Sequence, residues 1–140
     1  MEILKLVVDY GVIGLLVAMS IAALGLFLER RGYYRSVVVD RFQGRKELEL
    51  ALTERLNLIA IIASNSPYIG LLGTVLGIML TFAMMGKDNQ LDSGRIMLGL
   101  SLALKSTAAG LFVAIPAVTM YNLLLRRAKV LLMQWDIRHG

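Results

Sequence analysis

Few side chains in this sequence can do chemistry, and those that can are spaced as on helices. Pro67, Gly70, Thr74, Gly77 and Thr81 recur every three or four positions and so share one helix face. Farther along, Ala103, Thr107, Gly110 and Ala114 repeat the pattern. Thr74 stands 12 residues before Gly86, and Thr107 stands 12 residues after Arg95. At about 1.5 Å per residue, both hydroxyls lie about 18 Å inward of those polar markers. Two hydroxyls at one depth can face a common axis and orient water, although neither carries charge at pH 7. In the alternative, each bonds its own helix carbonyl one turn back and lines nothing.

Other reactive groups are scarce. The single histidine, His139, is next to the last residue, so no histidine triad or histidine metal site can be built, and the absence of cysteine excludes disulfides and thiolate metal or redox sites. Gly70-Leu-Leu-Gly73-Thr-Val-Leu-Gly77 imitates a phosphate loop only superficially, because its glycines lie inside an apolar run. There they make a packing face, with Gly110 and Pro116 in the same role on the later stretch. The chain is therefore expected not to be an enzyme and to need no cofactor. Lys105 is the one charge set into an apolar stretch. Counted from Gly99 it is about 9 Å deep. It either snorkels toward the helix N-terminus or pairs with a carboxylate of a partner or a neighbouring subunit.

These residues are carried by segments suited to a membrane. The chain is 57% apolar and only 18% charged. Tyr10 to Leu28, Leu56 to Gly86 and Ser106 to Leu125 are free of charge. About 20 apolar helical residues cross a hydrocarbon core, so the sequence predicts an all-α integral membrane protein with three transmembrane helices. One membrane domain over 1–140 is expected, with spans at about 10–28, 67–86 and 99–122. The first span is read as a retained anchor, because Glu29-Arg30-Arg31 follows it and a signal peptide carries its basic cluster in front. Gly14, Ala18 and Ala22 give that span a small-residue stripe, either for close helix contact or simply as common membrane composition.

Charge orients the spans. Seven of the basic residues lie between Arg30 and Arg55, and four more lie between Arg126 and Arg138, whereas the opposite flanks hold only Lys5, Lys87 and Arg95. This positive-inside asymmetry predicts an outer N-terminus, a cytoplasmic helical segment over about 30–66 and a cytoplasmic tail over 126–140. It also accounts for the net charge of +5 without nucleic acid. Phe42, Leu48, Leu52 and Leu56 suggest an amphipathic helix running into the second span as one long helix, and the second and third helices are expected to extend into the cytoplasm. Gly86 to Asp92 reads as a polar outer turn, Asp92 or Ser93 as the cap of the third helix, and Pro116 as a kink within it.

Two blocks resemble a known family. Ser66-Pro-Tyr-Ile-Gly-Leu-Leu-Gly-Thr-Val-Leu-Gly-Ile-Met79 is similar to the second-span signature of the ExbB/TolQ/MotA proton-channel family. Ser106-Thr-Ala-Ala-Gly-Leu-Phe-Val-Ala-Ile-Pro-Ala-Val118, followed by Tyr121-Asn122, is similar to its third-span signature. The chain is most like a short ExbB, without the long cytoplasmic extension of larger members. The resemblance implies that Thr74 and Thr107, with Thr81 on the same face, line a central pore or proton pathway. It further implies a homopentamer in the bacterial inner membrane, surrounded by lipid, whose lumen holds the single helices of an ExbD/TolR-like partner. Such a motor would harvest proton motive force to energise a TonB-like protein and TonB-dependent outer-membrane transport. A TolQ-like role in envelope maintenance, or a membrane scaffold without transport, are the alternatives. Where many members carry a glutamate this chain has Leu102, and Lys105 follows one turn later, so no role of that glutamate transfers. The spans hold no Asp or Glu, and the titrating carboxylate would come from the partner.

Overall fold

The computed structural model describes residues 2–88 and 92–139. Four α-helices follow one another: α1 over Glu2–Ser36, α2 over Arg45–Thr53, α3 over Leu56–Asp88 and α4 over Ser93–His139, with a 3₁₀ turn at Val39–Arg41 between α1 and α2. Stretches of α1, α3 and α4 are long and apolar enough to cross a membrane, so this is an all-α chain with three membrane-spanning helices. α4 alone has 47 residues. That is about 70 Å, more than twice the depth of a hydrocarbon core. Residues 89–91, within the expected outer turn, lie outside the described residues, as does Met1. The first three residues of that expected turn, Gly86 to Asp88, belong to α3, and its last, Asp92, caps α4 by accepting the Gly94 N–H at 3.0 Å.

The join between α2 and α3 departs from the expected single helix. Glu54 is extended and Arg55 takes the left-handed conformation with φ of 69°, so α2 ends and α3 starts afresh at Leu56. The cause lies in α1. In an unbroken helix the carbonyls of Ala51 and Leu52 would accept the N–H groups of Arg55 and Leu56. Instead Arg30 Nη1 donates to Ala51 O at 3.0 Å, and the Tyr34 hydroxyl donates to Leu52 O. Two α1 side chains thus take over the bonds that would have carried the helix onward. The guanidinium of Arg30 is fixed in turn by Glu29 at 2.8 Å and lies 4.4 Å from the centre of the Tyr33 ring.

This junction forms part of the hydrophobic core. Tyr34, Val39, Leu48, Leu52, Leu56 and Ile59 bury against Leu124, Ala128, Leu131 and Leu132 of α4. The core therefore sits at the basic end, outside the most apolar stretches. Along those stretches large side chains such as Ile21, Met79, Phe112 and Ile115 remain exposed. An exposed apolar surface of this extent suits lipid and neighbouring subunits. On α1 the inward face is Leu16 and Ala23. Gly14, Ala18 and Ala22 are exposed, and a Cβ on Gly14 would meet nothing within 4 Å, so that stripe makes no close helix contact within the chain.

Candidate functional site between α3 and α4

α3 and α4 run antiparallel and approach through their smallest residues. A Cβ on Gly70 would stand 2.5 Å from Ser106 O, and one on Gly110 would stand 2.6 Å from Ser66 O. Each would also lie 3.0 Å from the other glycine's Cα. The backbones meet here with no room for a methyl group. One turn along, Gly73 faces the side chains of Ser106 and, from α1, Val12; Gly77 faces the Ala103 methyl. Farther still, the Thr81 side chain, methyl carbon foremost, fills the space that a Cβ on Gly99 would need. In a membrane this approach replaces a hydrophobic driving force with dispersion contact between backbones.

Inside this seam lie the threonines. Thr74 is 6% exposed and Thr81 8%, whereas Thr107 is half-buried. The Thr74 hydroxyl donates to Ala103 O of α4 at 2.8 Å, and it also bonds the Thr107 hydroxyl. Its own-helix carbonyl, Gly70 O, is more distant at 3.3 Å. A hydroxyl has one proton and two acceptor lone pairs. With the Thr74 proton committed to Ala103, Thr107 donates to Thr74 and keeps its own lone pairs for a proton donor on the open side. Thr74 and Thr107 therefore make a polar bridge between the helices. Thr81 behaves differently: its hydroxyl turns back to Gly77 O at 2.8 Å and presents its methyl to Gly99.

Lys105 is exposed, at the rim of an apolar groove between α1 and α4 that Phe112 and Ile21 also line. Pro116 is exposed as well, while Ala114 and Ala117 turn inward, and α4 is helical through that position. Gly99 and Ser66 belong to the seam although their roles were not anticipated. Gly99 was visible as the four-residue step before Ala103; Ser66, wholly buried, bonds the carbonyl of Ile62.

A profile of the MotA/TolQ/ExbB proton channel family matches residues 38–137, from the 3₁₀ turn to near the end of α4. An ExbB-like biopolymer transport protein of Helicobacter pylori is 50% identical over 136 residues, covering 97% of this chain and 91% of that protein. The biopolymer transport protein ExbB of Aquifex aeolicus is 49% identical over 140 residues, covering 100% of this chain and 95% of its own. The chain belongs to the MotA/TolQ/ExbB proton channel family. Similarity to the Tol-Pal system protein TolQ of Haemophilus influenzae is narrower, 44% identity over 86 residues, covering 61% of this chain and 37% of that protein. Membership in the MotA/TolQ/ExbB family makes this a multi-pass membrane protein of a channel family, and the α3–α4 seam lies within the matched residues.

Proposed function

We propose that the chain is the ring-forming subunit of an inner-membrane motor that harvests proton motive force, with an ExbD-like single-span partner, for TonB-dependent outer-membrane transport. The observation that carries this function is the Thr74–Thr107 bridge, set in spans that contain no carboxylate. A half-buried hydroxyl with free lone pairs can stabilise a protonated acid passing by, and cannot itself release a proton at pH 7. The proton carrier then belongs to another polypeptide, whose membrane aspartate meets Thr107 of successive subunits in a ring of copies, taken as five. A basic end gathered around the core supports a cytoplasmic location for that end.

Proton flux tests this division of labour. Liposomes holding the purified chain alone under a pH gradient are expected to leak little. Adding the single-span partner should produce flux, and changing its membrane aspartate to asparagine should abolish it. Robust selective flux from the chain alone would place the carrier on this polypeptide and overturn the proposal. A TolQ-type role is the second possibility, favoured by the similarity to the Haemophilus influenzae protein. Co-purification separates the two: an ExbD-like companion supports the first and a TolR-like companion the second.

A further inference from the structure

Two groups of arginines stand out among the 15 basic residues. Arg30, Arg45, Arg55 and Arg138 are held by Glu29, Glu49, Asp136 and Asp40 in ion pairs around the core. Arg31, Arg35 and Arg127 are exposed and have no carboxylate partner among the described residues. These three nevertheless line a single cavity of about 430 Å³ between α1 and α4, together with Phe27, Leu123 and Leu124. Arg31 and Arg35 are one turn apart on α1, a like-charge spacing that opposes helix stability unless an anion intervenes. The nearby carboxylate of Glu29 is already shared by Arg30 and Arg55. Three arginines lining one cavity suit an anion with several oxygens, because each planar guanidinium can donate two parallel bonds to phosphate.

A second cavity on the same helix pair supplies the other half of the ligand. It measures about 520 Å³ and is lined by Val17, Ile21, Ala109, Phe112 and Val113, with Lys105 at its rim. Ile21, at the near edge of this cavity, precedes Arg31 by ten residues, which places those two side chains about 15 Å apart along α1. That is the depth of one leaflet, half of the hydrocarbon core. A free phosphate would use only the basic cavity, whereas a phospholipid uses both. We propose that the α1–α4 groove binds an anionic phospholipid, with its phosphate among Arg31, Arg35 and Arg127 and one acyl chain laid against Ile21 and Phe112. The site requires only that the protein spans a membrane, and does not rest on the motor function proposed above.

Native mass spectrometry of the purified protein in neutral detergent tests it, with phosphatidylglycerol, phosphatidylcholine and the chain-less glycerol 1-phosphate as probes. Phosphatidylglycerol is expected to be retained over both others. Removing one arginine, as in Arg31→Gln, should lower its affinity about fivefold. The triple variant Arg31→Gln, Arg35→Gln, Arg127→Gln should bind phosphatidylglycerol and phosphatidylcholine alike. Arg126→Gln with Lys129→Gln, which removes charge from a different groove on α4, should keep the preference. Ala109→Trp, which fills the apolar cavity, should weaken both lipids together. If the triple variant does not assemble, the Arg31→Gln and Ala109→Trp variants decide the matter. The site is overturned by an undiminished preference after loss of the arginines, by equal loss in the Arg126/Lys129 variant, or by glycerol 1-phosphate binding as tightly as the lipid. It is overturned too if the arginine changes alter subunit number and leave bound lipid unchanged, since a second copy would then be the occupant.

Discussion

The phenolic hydroxyl of Tyr34 donates to the carbonyl of Leu52, one of the last carbonyls of α2. A buried side chain of α1 thereby finishes a helix 18 residues away and sets where α3 begins. Tyr34→Phe keeps the packing and strands that carbonyl, which should cost about 1–3 kcal/mol. Tyr33→Phe keeps its ring beneath Arg30 and should stay within about 0.5 kcal/mol. Thermal unfolding of both variants in the same detergent checks the difference.

The Gly70–Gly110 crossing makes a steric forecast. A methyl group at either position would stand under 3 Å from a backbone carbonyl that cannot swing aside. Gly70→Ala and Gly110→Ala should each destabilise by about 1–3 kcal/mol. Gly14→Ala and Gly25→Ala, where a Cβ meets nothing within 4 Å, should be neutral or slightly stabilising. Equal losses of thermal stability at all four positions would show that the seam is not the tightest contact.

The hydroxyl bridge separates function from folding. Thr74→Val and Thr107→Val keep the side-chain shape and remove the bonds between α3 and α4, with an expected loss of about 0.6–1.7 kcal/mol. On the proposed function, TonB-dependent uptake should fall in both while the assembled complex is retained. Thr119, whose hydroxyl only returns to Ile115 O at 3.0 Å, should tolerate valine with uptake unchanged. Unchanged uptake in all three would reduce the bridge to a structural bond.

Membrane orientation is directly measurable because the chain has no natural cysteine. A cysteine placed at Gln43, in the segment between the 3₁₀ turn and α2, should resist an impermeant thiol reagent in intact cells. One at Gln90 should react. Labelling of Gln43 from outside would reverse the orientation expected from the basic residues.

Uncharged runs determined the three membrane-spanning helices, because crossing a hydrocarbon core is a one-dimensional demand that composition alone can meet. The four-residue spacing of glycine, alanine and threonine likewise determined which faces of α3 and α4 are narrow, since helical periodicity is local. Partners across space were decided only by tertiary structure. Nothing in the spacing of Thr74 chooses Ala103 over Gly70 as its acceptor; the backbone approach at Gly70 and Gly110 does. Nor does the 45–59 segment announce its break. Leu48, Leu52, Leu56 and Ile59 keep the helical rhythm of one continuous element. The interruption at Arg55 arises because Arg30 and Tyr34, distant in sequence, take the carbonyls that continuation would need. A helix boundary set by another helix's side chains is a long-range event, and local pattern carries no record of it.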